Sequence, residues 1–133
     1  MATTQEALQI STFVPMFTVD DLQKSIAFYE ALGFTVDERW EDNGTLQGVM
    51  LRAGKNQIGL SQDDWKKGRD RKKGIGTRLF MSTTQKVDEI AARAKNAGIK
   101  LVSEPHETDM NSRAFEVTDP SGFLLTISSE IPA

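Results

Sequence analysis

Hydrophobic positions change period twice along the chain, and each change has the same form. Ile10 to Val19 is an apolar run rich in β-branched and aromatic residues, the composition of a strand. Asp20-Asp21 follows, either of which caps a helix. From Leu22 the apolar residues recur at helical spacing, as Leu22, Ile26, Tyr29 and Leu32, until Gly33 supplies a left-handed stop. Three short extended segments come next, Phe34 to Trp40, Leu46 to Arg52 and Gln57 to Ser61, separated by the turn signals Asn43-Gly44 and Gly54-Lys55-Asn56. The pattern predicts a strand, a helix of about three turns and three strands in hairpin succession.

A polar stretch without hydrophobic period, Asp63 to Gly74, interrupts this order, and the order then repeats. Thr77 to Ser82 reads as a strand. Val87, Ile90, Ala91, Ala94 and Ala97 form a helical stripe closed by Gly98. Ile99 to Val102, Arg113 to Val117 and Phe123 to Ser128 are extended, with the tight turn Asp119-Pro120-Ser121-Gly122 before the last. Gly33 and Gly98 stand in register 65 residues apart. That period is too long for a solenoid and reads as duplication of one supersecondary unit. The expected fold is α+β: two β-α-β-β-β modules forming an open, cleft-enclosing mixed sheet. Module one is placed at 10–62, a linker at 63–74 and module two at 75–131, together one domain over 10–131. Each helix covers one face of its sheet, so the other face packs dry or encloses a cleft.

Composition narrows the chemistry. The 133 residues suffice for one core, and 38% hydrophobic with 26% charged residues is a globular balance. The absence of cysteine excludes disulfides, a thiolate nucleophile and cysteine-based metal sites, and a single histidine excludes any site needing two imidazoles. A net charge of -3 gives no global reason for a polyanionic partner. The first residues, Met1 to Ser11, carry no basic group ahead of an apolar block, and no run approaches the ~18 to 20 apolar residues of a membrane span. A cytoplasmic protein without a membrane partner is expected.

The segment Phe17-Thr18-Val19-Asp20-Asp21-Leu22-Gln23-Lys24-Ser25-Ile26-Ala27-Phe28-Tyr29, then Leu32-Gly33-Phe34, and later Asp119-Pro120-Ser121-Gly122-Phe123, resembles the vicinal oxygen chelate superfamily. That superfamily includes glyoxalase I, bleomycin-resistance proteins and extradiol dioxygenases. The resemblance covers about 120 residues and implies a divalent metal held by one side chain from each of four strands. Carried over, the four positions are Val14, Gly59, Thr77 or Leu79, and Thr126. None is a good ligand, since glycine, valine and leucine offer no donor and neutral threonine is a poor one. The expectation is therefore no metal and no cofactor. If Val14 and Thr126 face the cleft, strand alternation brings Met16, Thr18, Leu124 and Ser128 with them, and the same logic adds Leu79 and Met81. Such an apolar lining suits an uncharged or aromatic ligand held by burial.

Further candidates lie outside that set. His106, in Glu104-Pro105-His106-Glu107, is read as a loop residue or a ligand contact rather than a metal ligand. Trp40 and Trp65 combine a large apolar ring with a polar handle; each serves a cleft or an interface, and Trp65 is the stronger cleft candidate because its neighbours are charged. Arg52 and Arg113 could orient a carboxylate or carbonyl within an apolar cleft, or could be edge-strand charges. Lys66 to Lys73 carries a net +5 and leaves -8 on the remainder, which favours a solvated linker over a nucleic-acid site. Tyr29 is read as a core residue. Gly48 to Lys55 fails as a P-loop, Gly74-Ile75-Gly76 precedes a strand and so is no dinucleotide site, and no G-x-S-x-G elbow exists.

These readings converge on metal-independent binding of a small hydrophobic or aromatic molecule. The resemblance to the bleomycin-resistance branch adds antibiotic or toxin sequestration as the role and a homodimer as the assembly. The alternative is an enzyme: a glyoxalase-type lyase or isomerase using displaced ligands such as His106 and Glu116, another enzyme of that superfamily such as a dioxygenase, or a metal-free proton-transfer catalyst. A nucleic-acid-associated module acting through the basic run is the third reading.

Overall fold

A computed structural model of the chain describes residues 6–131. In chain order the elements are β1 (Met16–Val19), α1 (Leu22–Leu32), β2 (Thr35–Asp42), β3 (Thr45–Ala53), β4 (Asn56–Gln62), β5 (Arg78–Thr83), α2 (Val87–Asn96), β6 (Ser103–Glu107), β7 (Arg113–Thr118) and β8 (Leu124–Ser129). The fold is α+β, with two open four-stranded mixed sheets in the orders β1-β4-β3-β2 and β5-β8-β7-β6. In each, the first strand pairs in parallel with the last and the remaining pairs are antiparallel. No helix among the described residues is long and apolar enough to cross a membrane.

Local chemistry explains the helix limits. Asp21 Oδ1 accepts the Lys24 N–H at 3.1 Å, satisfying one of the orphan donors of the first turn of α1. At the other end Gly33 adopts φ 114°, where a side chain would be strained, and its N–H closes on Glu30 O at 3.0 Å. The buried face of α1 is Leu22, Ser25, Ile26, Phe28, Tyr29 and Leu32. It packs against Val49, Leu51, Ile58 and Leu60 on one sheet face, while Phe115, Val117, Leu125 and Ile127 form the corresponding layer under α2. Both layers belong to one continuous core.

The two modules are joined through the β7–β8 turn. Asp119 Oδ1 accepts the N–H groups of Ser121 and Phe123, each at 2.9 Å, and Oδ2 accepts the Tyr29 hydroxyl at 2.8 Å. Ser121 Oγ accepts the Asp20 N–H at 3.0 Å, and the rings of Phe17 and Phe123 stack with centroids 4.1 Å apart. Burial raises the pKa of Asp119, opposed by the N–H groups and hydroxyl that favour its charged form; burial and the adjacent Asp119 charge raise that of Tyr29.

Three expectations from sequence shift. The opening strand starts at Met16 rather than Ile10, and 6–15 contain no regular element. The second strand of module two is Ser103–Glu107, not Ile99 to Val102; Ile99 and Leu101 instead pack against the core from a connecting segment. His106 therefore lies in a strand rather than a loop. Pro105 is tolerated there because β6 is an edge strand with a register shift between Ser103 and His106. The basic run is also not uniformly solvated. The Lys73 side chain is 7% exposed and pairs with Asp63 at 2.8 Å and with Asp20, while Arg71 donates to Asp63 at 2.8 Å.

Candidate functional site

Register separates the two faces of each sheet. In module one, Trp40 stands opposite Gly48, Met50 opposite Gly59, and Gly59 beside Met16, all on the face turned away from α1. The two glycines are covered rather than open. A Cβ on Gly48 would overlap the Trp40 indole, and one on Gly59 would overlap the Met16 thioether, with Met50 Sδ at 3.6 Å. Met16 and Trp40 are 56% and 37% exposed, so this inner face presents a thioether and an indole to its surroundings.

The inner face of module two is more polar. Phe80 stands beside Thr126, and Thr126 opposite Glu116. Glu116 is half-buried, accepts the Thr126 hydroxyl at 3.3 Å and Arg78 at 3.3 Å, and lies 3.5 Å from Ser103 Oγ. His106 occupies the neighbouring row, opposite Ala114, with Nδ1 2.8 Å from Glu104 O. Phe80 is 49% exposed.

The same register corrects two residues. Leu79 and Met81 stand beside Leu125 and Ile127 and pack against the core, so they do not share the face of Thr126; Phe80 does. Parallel pairing of β5 with β8 sets Phe80, rather than Thr77 or Leu79, beside Thr126. Arg113 is the third correction. It alternates with Ala114 onto the helix side, where it forms hydrogen bonds with Asp88 at 2.6 and 3.1 Å and with Glu107 at 3.4 Å. These bonds hold Asp88 below the usual carboxylate range, and they raise Arg113 against the effect of burial.

Other candidates are placed as follows. Arg52 is on the inner face of module one, clamped by Asp37 at 2.8 and 3.0 Å, and this bond lowers the Asp37 pKa. Val14 is half-buried and precedes β1. Trp65 lies in the linker at φ 62°, its N–H donating to Asp63 Oδ1 at 3.0 Å and its ring lying 4.8 Å from both Arg69 Cζ and Lys73 Nζ. The Lys73, Trp65 N–H and Arg71 bonds hold Asp63 well below the ordinary carboxylate range. Burial pulls the Lys73 pKa down, but its bonds to Asp20 and Asp63 outweigh that and leave it raised.

The divalent metal implied by the resemblance does not fit these residues. Val14 and Gly59 bring no donor atom, the space over Gly59 is taken by Met16, and the Thr126 hydroxyl is engaged by Glu116. Among the described residues no group of three His, Asp or Glu side chains gathers as a metal site. Two hollows lie where residues of the two modules meet. One of about 490 Å³ is bounded by Met16, Phe17, Thr18, Arg71, Lys72 and Phe123, and a second of about 510 Å³ is bounded by Phe13, Phe34, Ile58 and β5.

A duplicated β-α-β-β-β unit with open inner sheet faces defines the class of fold, and comparison with known proteins supplies the family. The chain belongs to the Glyoxalase/Bleomycin resistance protein/Dioxygenase superfamily, whose model matches residues 10–127. No curated protein matches the chain. Among solved structures it is similar to TioX from Micromonospora sp. ML1, at 19% identity and a TM-score of 0.73 over 90% of this chain and 98% of that one. It is also similar to a glyoxalase/bleomycin resistance protein/dioxygenase from Alicyclobacillus acidocaldarius, at 22% identity, TM-score 0.67 and 92% of each chain. A lactoylglutathione lyase from Agrobacterium tumefaciens matches at 19% identity and TM-score 0.64, over 90% of this chain and 92% of that one. At these identities the likeness carries the fold alone.

Proposed function

We propose that the chain binds a small uncharged hydrophobic or aromatic molecule against its inner sheet faces, without a metal. The cleft is completed by a second copy in a homodimer, and the protein acts in the cytoplasm by sequestering an antibiotic or toxin. The observation that carries this reading is the pair Met16 and Trp40, each large, solvent-facing and seated over a glycine. Exposed thioether and aromatic surface at a pleated face is what apolar burial rewards, at ~25 cal/mol per Å². Phe80 extends the same character onto module two.

Thermal denaturation in the presence of a panel of uncharged aromatic compounds tests it. A ligand at about 100 times its Kd adds about 2.7 kcal/mol. The expected result is stabilisation of the wild type that is lost in Met16→Lys, together with no stabilisation by nickel, zinc, iron or manganese. Stoichiometric metal bound by the purified protein, with a raised Tm, overturns the reading.

One observation favours a second reading. Glu116 is half-buried on the inner face beside Thr126, with His106 in the adjacent row, an arrangement able to move a proton in metal-free lyase or isomerase chemistry. Turnover of a bound ligand that stops in Glu116→Gln while binding persists distinguishes catalysis from sequestration.

A further inference from the structure

The duplication allows the two sides of the module junction to be compared position by position. Met16 beside Gly59 in module one corresponds to Phe80 beside Thr126 in module two, so Phe17 corresponds to Met81. Counting three residues back from Gly59 and from Thr126 reaches Asn56 and Phe123. On one side of the junction Phe17 and Phe123 form a stacked pair, with centroids 4.1 Å apart and planes 20° from parallel. On the other side their counterparts, Met81 and Asn56, do not fill the space. Both line the hollow of about 510 Å³. A hollow of comparable volume, about 490 Å³, also borders the stacked pair, but Arg71, Lys72 and Lys73 line it, whereas the hollow beside Met81 and Asn56 has no charged side chain in its lining.

The hollow beside Met81 and Asn56 has the character of a ligand site. Phe34, Ile58, Leu79 and Phe80 supply apolar walls, and no charged side chain lines it. Asn56, Gln57 and Ser82 bring two amides and a hydroxyl to its boundary. Its volume falls in the roughly 300–1,000 Å³ range of small-molecule sites, which combine apolar walls with few polar groups. Uncharged walls disfavour an ionic guest, because a desolvated charge there finds no partner. Met81 offers a thioether, which contacts an aromatic ring favourably.

We propose that this hollow binds a small neutral aromatic molecule carrying a hydroxyl or carbonyl group, its ring taking the place that Phe123 fills on the related side. The hollow borders the inner face of module two at Phe80 and Ser82, but its other walls, Phe34, Ile58, Leu79 and Met81, lie on the core side, and its occupation does not require a ligand over Met16 and Trp40. Asn56 provides the polar contact and Met81 and Phe34 provide the faces against which the ring lies.

Amide-resolved NMR titration of the full chain with 2-naphthol tests it. The expected result is saturable shifts centred on Ala53, Asn56 and Met81, which line the hollow and lie off the inner faces. Asn56→Phe places an aromatic side chain where Phe123 stands in the other module, so affinity there falls at least ten-fold. Met81→Phe, at the counterpart of Phe17, is the second filling variant and is expected to weaken binding similarly if Asn56→Phe does not fold. Shifts confined to Met16, Gly59 and Thr126 overturn this proposal while supporting the inner-face reading. Absence of saturable shifts at the hollow, or undiminished binding in a folded filling variant, also overturns it.

Discussion

The Trp40 indole lies directly over the backbone of Gly48, on the next strand of the same sheet face. Neither residue is replaceable independently, because the ring occupies the volume that any Cβ on Gly48 requires. Gly48→Val is expected to displace the indole and cost about 1–3 kcal/mol, the usual range for overpacking. In a Trp65→Phe background, which leaves Trp40 as the only tryptophan, its emission should shift to the red. An unchanged denaturation midpoint with unchanged emission contradicts the seating.

Met16 and Gly59 stand in the same relation one strand pair away, and here compensation is measurable. Gly59→Ala forces the thioether aside, whereas in a Met16→Ala background the space is free. The two substitutions together should be less destabilising than the sum of each alone, with a coupling of about 0.5–3 kcal/mol. Strict additivity in urea denaturation places Met16 elsewhere.

The strand–helix–glycine units and most hairpins are legible in the sequence because local signals agree there: Asp21 caps, Gly33 and Gly98 stop, and Asn43-Gly44 turns. The inner-face set is legible in module one, where alternation from Val14 brings Met16 and Thr18 with it. It fails at β5, because alternation fixes which residues share a face only once the pairing register is known. β6 fails for another reason. Ser103–Glu107 is a polar edge strand interrupted by Pro105, whereas the apolar Ile99 and Leu101 serve a connection. Trp40 over Gly48 and Glu116 beside Thr126 depend on cross-strand partners, which no single segment announces. The ties that draw Lys73 inward, to Asp20 and Asp63, are long-range in the same sense.

Tyr29→Phe leaves Asp119 Oδ2 without its hydroxyl donor and is expected to cost about 1–3 kcal/mol at neutral pH. Burial already raises the folded-state pKa of Asp119, so its favourable share is present below the unfolded value of about 3.9 and is lost as pH rises through the folded value. The Tyr29 bond opposes that rise. Removing it raises Asp119 further, so the stability gap between wild type and variant should be larger at pH 7 than at pH 3. A gap independent of pH shows that the hydroxyl does not act through this carboxylate.

Asp63 has the opposite sign. Its bonds from Lys73, the Trp65 N–H and Arg71 depress its folded pKa, so their stabilisation is present above the unfolded value of about 3.9 and is lost as pH falls below it. Urea midpoints of the wild type should therefore drop between pH 5 and pH 3. Asp63→Asn should be less stable at pH 7 and show a shallower acid slope. The raised Lys73 pKa places its own loss at alkaline pH, above about 10.4. Equal acid slopes in wild type and Asp63→Asn would mean that the linker is not held through this carboxylate.

Arg113 separates ligand contact from structural pairing. From sequence it is a candidate for orienting a carbonyl in the cleft, but its guanidinium is bound to Asp88 of α2 on the opposite side of the sheet. Both side chains are substantially exposed, 40% for Arg113 and 58% for Asp88, so solvent screens the pair. Such pairs contribute about 0–1 kcal/mol. Arg113→Ala is therefore expected to lower stability by no more than about that amount and to leave inner-face affinity unchanged, whereas Met16→Lys abolishes binding while preserving the fold. Isothermal titration of both variants with any aromatic compound that stabilises the wild type reads the contrast. A ten-fold loss of affinity in Arg113→Ala would place the ligand against the helix side of the second sheet, where its inner-face partners Thr126 and Glu116 could not reach it.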